Sequence, residues 1–125
     1  MKGAILGDIV GSVYEFDPIK TTAFDFVNPK CRFTDDTVLT IAIMDAILSK
    51  EPYESKVVEY AKAYPGRGYG HRFCLWIGND GKEPYGSYGN GSAMRVSPVG
   101  WAFDDLEKVE LESYRSEAIT RNHEK

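Results

Sequence analysis

The run Val38-Leu39-Thr40-Ile41-Ala42-Ile43-Met44-Asp45-Ala46-Ile47-Leu48 constrains this chain more than any other stretch. It is apolar on nearly every face of a helix, and such a helix is stable in water only when other elements surround it. Directly before it stand Thr34-Asp35-Asp36-Thr37, with Thr34 a good N-cap. The spacing predicts a buried central helix over 34–50 whose first turn is a fixed platform for two adjacent carboxylates. Such a pair repels itself and loses hydration, a cost that a cation, a basic side chain or a bank of N–H donors must offset. First-turn acids also answer the helix macrodipole, which is the plainer explanation for aspartates at these positions.

That explanation does not cover the acids of the amino-terminal segment. From Lys2 to Phe16 the apolar residues Ala4, Ile5, Leu6, Ile9, Val10, Val13, Tyr14 and Phe16 fit a helix, with Gly3, Gly7 and Gly11 along one edge. Each glycine costs a helix about 1 kcal/mol relative to alanine, so the regular spacing predicts another backbone packed closely against that edge. Asp8, Ser12 and Glu15 share one face of the expected helix. Seven helical residues span about 10 Å, too far for Asp8 and Glu15 to grip one ion directly, so one of them is expected to act through water or substrate. The donors are all hard oxygens, without His or Cys, a set suited to Mg²⁺, Mn²⁺ or Ca²⁺ rather than zinc or copper.

A chain of 125 residues with 42% hydrophobic and 27% charged content is expected to form one soluble domain over 1–125. Its net charge of −4 and scattered basic residues argue against nucleic acid as a partner. Cys31 and Cys74 are too few for a disulfide framework, so a reducing cytoplasm is expected. Asp8 interrupts the opening apolar run, and Glu15 and Asp17 stand where a leader would be cleaved. No apolar run approaches the length of a membrane span.

Between the two expected helices, 19–32 reads as a loop. A shorter helix follows from Pro52 to Ala63, with Val57, Val58, Ala61 and Tyr60 as its apolar stripe. From Pro65 to Gly91 the composition turns glycine-rich, and a loop region of that length inside a domain is more often functional than incidental. Phe73, Leu75, Trp76 and Ile77 predict a short buried turn or helix within it. An apolar segment over 92–101 is broken by Pro98, and a charged helix over 104–117 is expected to turn Leu106, Val109 and Leu111 inward. No strand alternation is evident, so the class is mainly helical.

Two segments, Arg67-Gly68-Tyr69-Gly70 and Ser87-Tyr88-Gly89-Asn90-Gly91-Ser92, offer closely spaced backbone N–H groups without bulky side chains before them. Such nests hold phosphates, although ordinary turn chemistry also calls for Gly and Asn. Arg95 lies within one turn of the second. Neither segment matches the P-loop or the dinucleotide fingerprint. Tyr69, Tyr85 and Tyr88 suit stacking on a base or ribose, or capping of the core. His71 and Cys74 make only half a metal site, and their aromatic flanks favour packing; His123 stands near a terminus expected to fray.

Several separated pieces agree with one family. Gly7-Asp8-Ile9-Val10-Gly11 with Glu15, then Phe33-Thr34-Asp35-Asp36-Thr37, Gly66-Arg67-Gly68-Tyr69-Gly70, Ser87 through Arg95, and Ser97-Pro98-Val99-Gly100 occur in the order of the ADP-ribosylglycohydrolases. From about residue 1 to 121 the chain resembles the amino-terminal part of that family. The resemblance implies an all-α, compact orthogonal helical bundle. It implies a hydrolase with two Mg²⁺ ions, Mn²⁺ being the alternative, that cleaves the glycosidic bond between ADP-ribose and a modified protein or small molecule. Carried across, Thr34, Asp35 and Asp36 look like metal ligands, with Asp35, Asp36 and Glu15 the catalytic acids. Gly68, Tyr69 and Gly70, with Ser87, Tyr88, Gly89, Asn90 and Gly91, look like the cradle of the ADP-ribose. The family's carboxy-terminal Gly-Asp-Thr-Asp ligands are not in this sequence. Ile119 to Glu124 resembles the family's Thr-His-Asn-His-Pro-Glu segment with Arg121 in place of a His and no Pro. A truncated domain is therefore expected, a poor hydrolase by itself, needing a complementing carboxy-terminal chain or self-association; a non-catalytic ADP-ribose-binding module is the alternative.

Overall fold

The computed structural model describes residues 1–122; His123 and Glu124, to which part of the resemblance extends, lie outside them. Among the described residues there are seven helices and no strand: α1 Lys2–Gly11, α2 Asp35–Ser49, α3 Tyr53–Ala63, α4 His71–Gly78, α5 Gly91–Arg95, α6 Ser97–Ala102 and α7 Leu106–Ala118. The all-α class expected from the sequence is what the chain adopts.

The architecture is built around α2, against which α1, α3, α5 and α6 all pack. Val38, Leu39, Ala42, Ile43 and Ala46 are buried along it, and Val57 of α3, Phe73 and Trp76 of α4 and Val99 of α6 close the core over them. Thr34 caps the helix, its Oγ1 accepting from Asp36 N at 3.3 Å. At the far end Lys50 turns left-handed at φ 58°, a conformation a non-glycine residue adopts at a cost, and Glu51 N then closes onto Ala46 O at 3.1 Å. The tight reversal lays α3 along α2. Lys56 of α3 holds it there through Asp45 at 3.0 Å and Glu59 at 3.2 Å, bonds that raise the lysine's pKa.

Four expectations change. The first helix ends at Gly11, not Phe16. Ser12 Oγ takes the Ile9 carbonyl at 2.8 Å and accepts from Arg32 N at 3.1 Å, so its hydroxyl competes with the helix and staples the 19–32 loop to the helix end. No described atom lies within 4 Å of a Cβ built on Gly3, Gly7 or Gly11, so no described backbone packs against that edge. In α7 Leu106 and Leu111 are exposed, while Val109, Ser116 and Ile119 face the core. Leu75 of α4 is likewise exposed, with Phe73 and Trp76 carrying the burial.

Candidate active site

The mouth of α2 is held open by a residue from another helix. Asp8 of α1 accepts from Thr34 N at 2.8 Å, Thr34 Oγ1 at 2.6 Å, Thr37 N at 3.2 Å and Thr37 Oγ1 at 2.5 Å. Four donors use up the lone pairs of one carboxylate, so Asp8 is a clamp that fixes the first turn rather than a free acid. Nothing local in the sequence signals this, because its partners lie 26 and 29 positions away.

With the turn fixed, Asp35 and Asp36 stand half-buried side by side. Burial first, then the charge of Asp36, then those of Glu15 and Asp8, push the Asp35 carboxyl up to about 6. Burial and the Asp8 charge raise Asp36 as well. Among the described residues none of these four carboxylates enters an ion pair. Arg67 is turned away, its guanidinium 3.7 Å over the Phe33 ring. Thr34 Oγ1 donates to Asp8 and accepts from Asp36 N, which leaves one lone pair for a further partner. Hard oxygens carrying unbalanced negative charge fit a cation such as Mg²⁺ or Mn²⁺. Among the described residues, however, no three His, Cys, Asp or Glu side chains converge into a metal-holding group, so the set amounts to two carboxylates and a hydroxyl.

The two acids face different spaces. Asp35 lines a cleft of about 440 Å³ with Gly70, His71, Tyr85, Ser87, Tyr88, Gly89, Asn90 and Gly91. Asp36 lines a recess of about 340 Å³ with Asp8, Glu15 and Thr34. Asn90 borders both, so the glycine-rich loop bridges the acid pair. Glu15 reaches this recess because α1 stops at Gly11 and the chain turns, not along a continuous helix face as the spacing suggested.

Gly68 belongs here for a steric reason: at φ +105° its Cβ would stand 3.2 Å from Asp35 Oδ1. Its neighbour Arg67 accepts the Asp35 N–H at 2.9 Å, seating this loop on the helix start. Tyr69 is tied down, its hydroxyl donating to Tyr64 O at 2.9 Å and its ring stacked on Phe73 at 5.6 Å. It is a wall of the site; Tyr88 is the more exposed of the two rings. Ser87 N donates to Thr120 O at 3.0 Å, and Gly89 N to Ser87 Oγ at 3.3 Å. No described acceptor takes the amides of Asn90 and Gly91, which remain open to an anion. Cys74 is exposed, its Sγ 3.8 Å from Tyr69 O, and His71 is exposed as well, so neither is packed into the core as their aromatic flanks suggested. A larger cleft of about 750 Å³ lies between the end of α2 and α7 and brings together none of the predicted site residues.

An acid pair at a capped helix mouth, bridged by a Gly-Asn-Gly loop, can be compared with known proteins. The family model for ADP-ribosylglycohydrolase matches residues 1–125. This chain belongs to the ADP-ribosylglycohydrolase family. It is 27% identical to the ADP-ribosylhydrolase ARH3 of Mus musculus over 155 aligned positions, covering 96% of this chain and 42% of the relative. The Homo sapiens ARH3 is 26% identical, with 96% and 43% covered. The Xenopus tropicalis ARH3 is 30% identical over 139 positions, with 86% and 39% covered. The chain thus spans less than half the length of these curated relatives. The resemblance carried by the motifs is borne out; Gly7, Asp8 and Gly11, Thr34, Asp35 and Asp36, Gly70, and Ser87 to Gly91 line the two adjoining recesses, and Ser97-Pro98-Val99-Gly100 does not. No helix among the described residues is long and apolar enough to cross a membrane.

Proposed function

We propose that this chain carries the acid pair and the ligand loops of a Mg²⁺-dependent hydrolase. Its substrates are ADP-ribose linked through a glycosidic bond to a protein side chain or small molecule. The observation that carries the reading is the shared border: Asp35 lies in the cleft walled by the Ser87–Gly91 loop, and Asn90 reaches the recess of Asp36 and Glu15. Thr34, Asp35 and Asp36 would hold the cation, with Mn²⁺ the alternative; when bound, it polarises ribosyl oxygens and lowers the pKa of bound water. The chain's own residues do the rest. The open amides of Asn90 and Gly91 receive the diphosphate, Gly68 lets a loop approach Asp35 without a side chain between, and Glu15 orients a water at the recess. Holding the ribosyl centre and the water together replaces an encounter by a fixed geometry.

Two carboxylates and a hydroxyl hold a divalent cation weakly, so turnover by this chain alone is slow, and a complementing carboxy-terminal segment or a second copy raises it. Both cysteines are free, consistent with work in a reducing cytoplasm. The test is release of ADP-ribose from an ADP-ribosylated peptide, in Mg²⁺ and in EDTA, by the wild type and by Asp35→Asn/Asp36→Asn. The reading predicts metal-dependent release that the double variant loses. Binding of ADP-ribose that ignores both EDTA and the double substitution would instead assign a non-catalytic binding module.

A further inference from the structure

Arg95 plays no part in the reading above, and its surroundings are unusual for a cation. It is 1% exposed, it ends α5 on the wall of the cleft shared by Asp35, Ser87 and Asn90, and it forms no ion pair among the described residues. A guanidinium in that position loses hydration without a salt bridge of its own, and burial pulls its pKa down to about 10 against the smaller opposing effects of Tyr85 and of Glu117, whose carboxylate is paired with Arg121. Part of the cost is met at the end of α7, where Nη2 donates to Ser116 O and Thr120 Oγ1, both at 3.0 Å. Carbonyls at a helix C-terminus favour a cation, so a purely structural role accounts for this one nitrogen.

It does not account for the other two. Nε is buried with no acceptor among the described residues. Nη1 stands 3.8 Å from where a Gly91 Cβ would be, directly behind the loop. The same Thr120 accepts Ser87 N at its carbonyl, 3.0 Å away, so Arg95, Thr120 and Ser87 form one strut joining both ends of the 87–91 loop. A donor-only, permanently charged group with unused N–H bonds on a cleft wall calls for an anion from outside the chain.

We propose that Arg95 is the charge-bearing positioning residue of this cleft: anchored on Ser116 and Thr120, it stands behind Gly91 and makes the Ser87–Gly91 loop a receptor for a diphosphate. The ligand, the diphosphate of ADP-ribose, rests on the proposed function; the anion-directing role of Arg95 rests on its unpaired Nε and on Nη1 beside Gly91. The test is therefore calorimetric titration of the full chain with inorganic pyrophosphate in EDTA, with ADP-ribose run in parallel. Arg95→Lys keeps the charge and loses the fork, whereas Arg95→Gln keeps a donor for Ser116 and loses the charge. The expected result is pyrophosphate binding by the wild type, retained within about threefold in Arg95→Lys and weakened about tenfold or more in Arg95→Gln. A helix-capping role alone would let both variants bind pyrophosphate alike, and that result overturns the proposal, as does a wild type that ignores pyrophosphate. If Arg95→Gln gives no cooperative melt, Thr120→Val decides. Releasing one anchor should weaken pyrophosphate about threefold, and unchanged binding refutes the strut. Pyrophosphate bound without ADP-ribose would leave Arg95's role standing and sink the ligand reading instead.

Discussion

Four carboxylates are spread around the mouth of α2, and they do different work. Asp8 is consumed by hydrogen bonds, so replacing it removes fold rather than charge. Asp8→Ala leaves the N–H and hydroxyl groups of Thr34 and Thr37 without their acceptor and should cost about 3 kcal/mol, read as a lower urea midpoint. Asp35 has the opposite character, because its raised pKa marks a charge the fold tolerates poorly. The folded carboxyl, at about 6 against 3.8 unfolded, binds its proton first, so the penalty is fully present above pH 6 and is relieved as pH falls towards 4. In EDTA, Asp35→Asn should therefore melt several degrees above the wild type at pH 7, with the gap closing near pH 4; thermal melts at the two pH values check it. Adjacency and the N-cap made Asp35 and Asp36 legible in the sequence. The clamp by Asp8 and the burial of Arg95 were not, since each depends on partners more than twenty positions away.

At the scale of elements, legibility followed the strength of the hydrophobic pattern. The run behind Thr34 is apolar all round, and α2 lies within one residue of the expected span. Ile43 is fully buried there, and Ile43→Ala should cost about 3 kcal/mol by denaturant melt. Where the pattern is thin, other forces decided. Three glycines left α1 weak enough for the Ser12 hydroxyl to end it, and that early end brings Glu15 round to the acid pair. In α7 Leu106, Val109 and Leu111, set among charges, allowed two registers, and the Arg95 bonds to Ser116 and Thr120 mark the one adopted. The α2–α3 reversal makes a sharper prediction. Lys50 sits at φ 58°, so Lys50→Gly should raise stability by roughly 0.5–1 kcal/mol, against the usual cost of glycine; an unchanged or lower melting temperature would contradict that account.

The whole molecule exposes more surface than its mass requires. Its 8403 Å² compares with about 6,700 Å² for a compact monomer of 14.0 kDa. Much of the exposed apolar part lies on Leu6, Phe16, Phe26 and Val27 beside α1, and on Leu48 and Trp101 where α2 and α6 meet. No residue of α1 is fully buried, although the helix packs on α2 and its glycine edge is open for close packing. These faces could not be read from the sequence, because apolar spacing marks a residue for burial without naming the surface that buries it. The proposed association predicts a sedimentation coefficient that rises with concentration, and a Leu6→Lys substitution that suppresses the rise. The central claim, that the acid pair and the Ser87–Gly91 loop form one cation-dependent ADP-ribose site, is tested most directly by the thermal melt of the full chain with ADP-ribose and Mg²⁺, separately and together. A ligand that binds only the folded state raises the midpoint, by about 2.7 kcal/mol of stabilisation at a hundred times its Kd. The account predicts a shift with both ligands larger than the sum of the separate shifts, and loss of that excess in Asp35→Asn. A melt indifferent to both, or an ADP-ribose shift unchanged by Mg²⁺ and by Asp35→Asn, would contradict it.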